Sequence, residues 1–137
     1  MNYKKIALGT LAFFISSFVI QGLLGFAVAG DYFLSIPIMR QSPLIYLSMP
    51  ATILTGIAYA ILYPMTNLKG APAARGLTFG LITGLIIVPF VALDLPGRFM
   101  IPSAGKWILF QGILGVAQSA IAGILIGLIY GKDIKEN

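Results

Sequence analysis

The chain has 137 residues, of which 58% are hydrophobic and only 9% are charged, and its mean hydropathy is +0.96. Soluble domains carry about 25% charged residues, so this composition excludes an ordinary soluble domain and also a disordered chain. The formal net charge of +5 comes from cations scattered near the ends of apolar segments rather than from one patch. We therefore expect contact with membrane lipid and no binding of nucleic acid.

Four apolar segments follow one another along the chain, at about residues 6–30, 44–65, 74–93 and 107–130. Each is close to the ~20 residues that a helix needs to cross the hydrocarbon core of a bilayer. The connections contain the Pro, Gly and charged residues that end helices. The runs are continuous rather than alternating, which favours helices over barrel strands. The predicted fold is all-α, a single transmembrane four-helix bundle over residues 1–137.

The first segment also has features of a signal peptide, because Lys4 and Lys5 precede it and Ala27-Val28-Ala29 resembles a cleavage site. Its apolar stretch exceeds the ~7–15 residues of a signal peptide, so we expect an uncleaved helix. In the third segment, Pro89 is expected to kink the helix, because proline removes a backbone hydrogen bond.

The distribution of Lys and Arg predicts the orientation. One side would hold six of them and the other side three, namely Lys4, Lys5, Lys69, Arg75, Lys132 and Lys135 against Arg40, Arg98 and Lys106. By the positive-inside rule both termini are expected in the cytoplasm, and the protein is expected to be a multi-pass protein of the plasma membrane. Aromatic residues near the segment ends are expected at the two interfaces: Tyr3, Tyr46, Tyr63, Trp107 and Tyr130.

Small residues recur at every fourth position, which places them on one helix face. The two ridges richest in glycine are Gly76, Gly80 and Gly84 in the third segment, and Gly115, Ser119, Gly123, Gly127 and Gly131 in the fourth. Such ridges let helix backbones approach closely in lipid. They predict tight packing within the bundle, or a face for a homo-oligomer or a larger membrane complex.

Three glutamines lie inside the segments: Gln21, Gln111 and Gln118. Gln111 and Gln118 are seven residues apart, nearly two helical turns, and therefore share a face. Amide side chains can bond across helices, and the same groups can form the polar wall of a small ligand site. Both interpretations remain open at this point.

Charged residues are confined to the ends of the segments, which argues against a proton-coupled pump. Asp31, Arg40, Asp94 and Arg98 lie in the two loops expected on the outer side, either as solvated charges or as a small polar cluster. The sequence has no His and no Cys, which removes the commonest general base, the thiolate nucleophile and the usual metal and haem ligands. We therefore expect no catalytic residues, no metal and no cofactor.

Three stretches of the chain form a recognisable pattern: the start Asn2-Tyr3-Lys4-Lys5, the glycine-rich segment 76–84, and the ending Ala122-Gly123, Gly127 and Tyr130-Gly131-Lys132. In these stretches the chain resembles a broad set of small bacterial four-span inner-membrane proteins of uncharacterised function. It implies a four-helix fold in the inner membrane, and it carries over no activity and no functional residues.

Three functions are compatible with these patterns. The first is a non-enzymatic accessory subunit or oligomeric scaffold that acts through the ridge from Gly115 to Gly131. The second is a small binding or transport protein for an apolar or weakly polar molecule, using Gln21, Gln111 and Gln118. The third, a membrane enzyme using Asp31 and Asp94 at the outer surface, has the least support.

Overall fold

The computed structural model describes residues 2–40, 42 and 44–131, and over these residues the chain folds into helices without strands. Four helices are long and apolar enough to cross a membrane: α1 (Tyr3–Leu34), α2 (Ile45–Met65), α3 (Pro72–Arg98) and α4 (Ala104–Tyr130). Each corresponds to one of the four apolar segments of the sequence, so the prediction of an all-helical chain with four helices of membrane-spanning length is confirmed for the described residues. Lys132 and Lys135, which were counted for the orientation, lie outside the described residues.

Three of the four helices, α1, α3 and α4, are longer than the hydropathy predicts, because their helical backbone continues past the apolar segment at one or both ends. α1 begins where the Asn2 side chain accepts a hydrogen bond from the backbone N–H of Lys5, at 3.2 Å. It continues past residue 30 to Leu34, and α3 continues past residue 93 to Arg98. Asp31 and Asp94 are therefore helical residues rather than loop residues.

Two of the four helices change their backbone hydrogen bonding midway. α1 contains a π-helical turn at Phe18–Leu24 and a non-helical residue at Ala29 (φ −132°, ψ 16°). α3 contains a π-helical turn at Phe90–Asp94, directly after Pro89. Turns of this kind are rare within helices and occur frequently at functional sites.

The helix pairs are packed unequally. α3 and α4 form the most extensive pair, while α1 packs against both α2 and α4. α2 meets α3 through rings near one end, where Tyr59 and Tyr63 lie 5.5 Å and 5.3 Å from Phe79 between ring centroids. At this end a buried cluster joins Phe13, Tyr59, Tyr63, Phe79, Ala122, Ile126 and Tyr130. A second buried cluster, at the opposite end, contains Ala29, Phe33, Ile36 and Trp107.

Two cations close the C-terminal end of α4. Lys5 Nζ donates a hydrogen bond to the Tyr130 carbonyl at 3.0 Å, and Arg75 Nη2 donates one to the Gly131 carbonyl at 2.6 Å. Carbonyl groups at a helix C-terminus lack intrahelical donors and carry partial negative charge, which favours cations there. The starts of α1 and α3 and the end of α4 therefore lie at the same end of the bundle. Arg75, at 3% exposure, is a buried residue rather than a loop cation.

The outward faces of the helices are apolar. Leu54, Leu85, Ile86 and Ile113 are each more than 60% exposed, and large hydrophobic side chains are exposed on all four helices. Contiguous exposed apolar surface of this extent is not sustained in water by soluble monomers.

Candidate functional site

A cavity of about 320 Å³ lies at mid-length between the four helices. This volume falls at the lower end of the range of ~300–1,000 Å³ that is typical of small-molecule sites. Its polar lining comes from three helices: Ser17 and Gln21 of α1, Thr52 and Thr55 of α2, and Gln111, Gln118 and Ser119 of α4. α3 contributes the apolar side chains Ile87, Val88 and Val91, and the rings of Phe13 and Tyr59 complete the lining.

The structure brings the three glutamines to this one cavity. Their side chains are half-buried, and within the described part of the chain they form no hydrogen bond to another protein group. The amides therefore do not join the helices to one another here. Each amide offers two N–H donors and a carbonyl acceptor to the cavity. A polar group in apolar surroundings is costly without a partner, so this arrangement favours an occupant that supplies hydrogen bonds.

The two threonines of α2 present a different chemistry from the amides. Thr52 donates its hydroxyl hydrogen to the Ser48 carbonyl at 2.9 Å, and Thr55 donates to the Ala51 carbonyl at 2.9 Å. Their hydroxyl oxygens can therefore only accept further hydrogen bonds. Among the described residues, the lining contains no charged side chain. An ion in this cavity would be buried without an opposite charge beside it, which is unfavourable in free energy. An uncharged molecule with both hydrogen-bond donors and acceptors matches the lining.

The π-helical turns of α1 and α3 each contribute to the cavity wall. Gln21 lies in the turn Phe18–Leu24 and Val91 lies in the turn Phe90–Asp94. In the second turn, Leu95 N–H donates to the Phe90 carbonyl, five residues earlier. The next bond of this type would join residue 96 to Val91, but Pro96 has no N–H. The indole Nε1–H of Trp107 supplies the missing donor and forms a hydrogen bond of 2.9 Å to the Val91 carbonyl.

The glycine ridges lie against each other, and they close the bundle on one side of the cavity. A side chain at Gly123 would place its Cβ 2.7 Å from the Gly80 Cα, and one at Gly127 would lie 2.8 Å from the Gly76 Cα. At Gly80 the added Cβ would overlap the Ser119 carbonyl, and at Gly84 it would lie 2.9 Å from the Ser119 Cβ. The face of α4 that carries these residues is therefore occupied by α3.

The two ends of the α4 ridge differ from its centre. At Gly115 an added Cβ would lie 2.8 Å from Cγ2 of Val88, so this glycine faces a side chain rather than a backbone, at the edge of the cavity. Gly131 has no neighbour within 4 Å of an added Cβ, and its φ of +58° is a conformation that favours glycine. Gly131 ends α4 and lies outside the close backbone contact of the two ridges, although its carbonyl accepts the hydrogen bond from Arg75 of α3.

Among the described residues, no ion pair joins Asp31 or Arg40 to Asp94 or Arg98, the other two charges expected in the outer loops. Asp94 pairs with Arg98 on the same helix, at 2.9 Å between Oδ1 and Nε. Asp31 is exposed and lines a separate groove with Lys106, and Arg40 is exposed in the loop after α1. Nowhere among the described residues do three His, Cys, Asp or Glu side chains come close enough to hold a metal ion.

Several cavity residues have no clear signal in the sequence. Thr55 follows Thr52 by three positions and therefore shares its helix face, and this spacing of two polar residues is a signal in the sequence. The roles of Phe13, Tyr59 and Val91 depend on which helices are neighbours, and the sequence does not show this. Trp107, expected at the interface, is buried at 6% exposure and supports the cavity wall.

Comparison with protein-family models, curated proteins and solved structures found no significant match for this chain.

Proposed function

We propose that this protein is a non-enzymatic, multi-pass protein of a bacterial cytoplasmic membrane that binds a small uncharged molecule in the cavity between its four helices. The observation that carries this proposal is the convergence of Gln21, Gln111 and Gln118 on one cavity, where their amides form no hydrogen bond to any other residue that the structure describes. Apolar helices of sufficient length support the membrane location, and the distribution of Lys and Arg along the sequence supports a cytoplasmic position for the end of the bundle at which α1 begins and α4 ends.

The ligand is expected to arrive from the bilayer rather than from water. Ala51 of α2 and Ile87 of α3 are the exposed residues among the described lining, which favours a mouth between these two helices. Because the cavity lies at mid-length, this mouth would face hydrocarbon in a bilayer. A lipid-soluble molecule with a hydroxyl, carbonyl or amide group fits both the route and the lining.

Replacement of Gln111 or Gln118 by Leu tests this proposal. A binding cavity loses its ligand in these variants, while the unliganded protein keeps or raises its melting temperature, because an amide without a protein partner is replaced by an apolar side chain. The measurement is mass spectrometry of small molecules that co-purify with the protein, combined with thermal unfolding in detergent. Thr78→Val is the matched control, since Thr78 is exposed on α3 outside the cavity. A lower melting temperature with unchanged small-molecule content would show that the glutamines are structural.

A scaffold or accessory role through the ridge from Gly115 to Gly131 has a structural obstacle. The central residues of this ridge, Ser119, Gly123 and Gly127, are buried against α3. A partner helix would have to displace α3 from the most extensive pair of the bundle. We therefore propose ligand binding ahead of scaffolding.

A further inference from the structure

A second groove lies between the last turns of α1 and the first turns of α4, away from the cavity at mid-length. Its volume is about 640 Å³. Phe26, Leu109 and Phe110 form its apolar part, and Asp31 and Lys106 line it with opposite charges. The non-helical residue Ala29 bends α1 here and also lines the groove.

The two charged side chains of this groove do not pair with each other in the described part of the chain. Asp31 and Lys106 are exposed, and within the described residues no ion pair joins them or links either one to another side chain. At the same end of the bundle, Asp94 and Arg98 do form an ion pair. The other polar groups of the groove are already bonded, since Tyr32 Oη donates to the Pro102 carbonyl at 2.7 Å and Ser35 Oγ donates to the Tyr32 carbonyl at 2.6 Å.

We propose that this groove binds the headgroup of a zwitterionic aminophospholipid. The primary ammonium group of the lipid would lie against Asp31, its phosphate against Lys106, and an acyl chain along Phe26 and Leu109. Asp31 and Lys106 lie near the ends of two helices that are long enough to span a bilayer. Helix ends of this kind lie at the level of the lipid headgroups. A carboxylate and an ammonium group beside an apolar wall complement the charges and the chain of such a lipid.

This site is independent of the cavity that carries the proposed function. None of its described lining residues is shared with the lining of that cavity, so each site can be tested with substitutions that do not remove a lining residue of the other. The failure of either proposal is therefore distinguishable from the failure of the other.

Native mass spectrometry of the purified protein with phosphatidylethanolamine, phosphatidylcholine and phosphatidylglycerol tests the proposal. The wild-type protein should bind phosphatidylethanolamine about tenfold more tightly than the other two, the equivalent of one charge-assisted hydrogen bond. Asp31→Asn should remove this preference, because the ammonium group loses its carboxylate partner. Lys106→Gln should weaken the binding of all three lipids, because each contains a phosphate.

Asp94→Asn is the matched control, because Asp94 lies at the same end of the bundle outside the groove. It should leave the lipid preference unchanged. Equal affinity of the wild-type protein for phosphatidylethanolamine and phosphatidylcholine would overturn the proposal. So would an unchanged preference in Asp31→Asn, which is expected to fold because Asp31 is exposed.

Discussion

The indole N–H of Trp107 on α4 donates a hydrogen bond of 2.9 Å to the backbone carbonyl of Val91 on α3. Val91 lines the central cavity, and its carbonyl lacks a donor from its own helix because Pro96 occupies the required position. A side chain of α4 thus completes the backbone of α3 beside the candidate ligand site. Buried carbonyl groups of a membrane helix are rarely left without a partner.

Trp107→Phe is expected to lower the free energy of unfolding by about 1–3 kcal/mol, because it leaves the Val91 carbonyl without a donor. Unfolding in detergent micelles measures the change. Tyr46→Phe is the control, since Tyr46 is 70% exposed.

The hydrogen bond itself is tested by a double-mutant cycle with Pro96→Ala. Alanine at position 96 has an N–H that can donate to the Val91 carbonyl in place of the indole. The loss in the free energy of unfolding caused by Trp107→Phe should therefore be about 1 kcal/mol smaller in the Pro96→Ala background. Additive effects of the two substitutions would contradict this account of the turn.

The spacing of residues along single helices could be predicted from the sequence, whereas the relationships between helices could not. Gln111 and Gln118 share a face because seven residues make nearly two turns, which is a local property. Gln21 and Thr52 line the same cavity as these two glutamines because of which helices are neighbours and because of the gap between α2 and α3. Hydropathy carries no information about either. The π-helical turn beside Trp107 was also missed, because Pro89 predicts a kink without showing how the backbone rearranges.

Gly80→Ala is expected to destabilise the protein, because an added Cβ would overlap the Ser119 carbonyl and backbone atoms cannot rotate away. The expected loss is about 1–3 kcal/mol in the free energy of unfolding. Gly112→Ala is the matched control, since nothing lies within 4 Å of a Cβ at this position. The control should be neutral, or stabilising by up to about 1 kcal/mol through helix propensity. Equal effects of the two substitutions would mean that α3 and α4 are not in backbone contact.

Arg75→Gln is expected to lower the free energy of unfolding by about 1.5–3 kcal/mol, because Arg75 donates a charged hydrogen bond to the Gly131 carbonyl at the end of α4. Lys69→Gln removes an exposed cation close to the same end of the bundle and serves as the control. Thermal unfolding of both variants in detergent compares the contribution of the buried cation Arg75 with that of the exposed cation Lys69. Similar melting temperatures for the two variants would show that the buried guanidinium does not stabilise the end of α4.

The proposed orientation can be measured directly, because the sequence contains no cysteine. Asn67→Cys introduces a thiol into the exposed connection between α2 and α3, and Gly97→Cys introduces one at the opposite end of the bundle, where an added Cβ has open space. With both termini in the cytoplasm, a membrane-impermeant maleimide should label residue 97 in intact cells and residue 67 only after permeabilisation. The reverse pattern would invert the orientation. Labelling of both positions in intact cells would mean that α3 does not cross the membrane, since residue 67 lies before α3 and residue 97 lies at its C-terminal end.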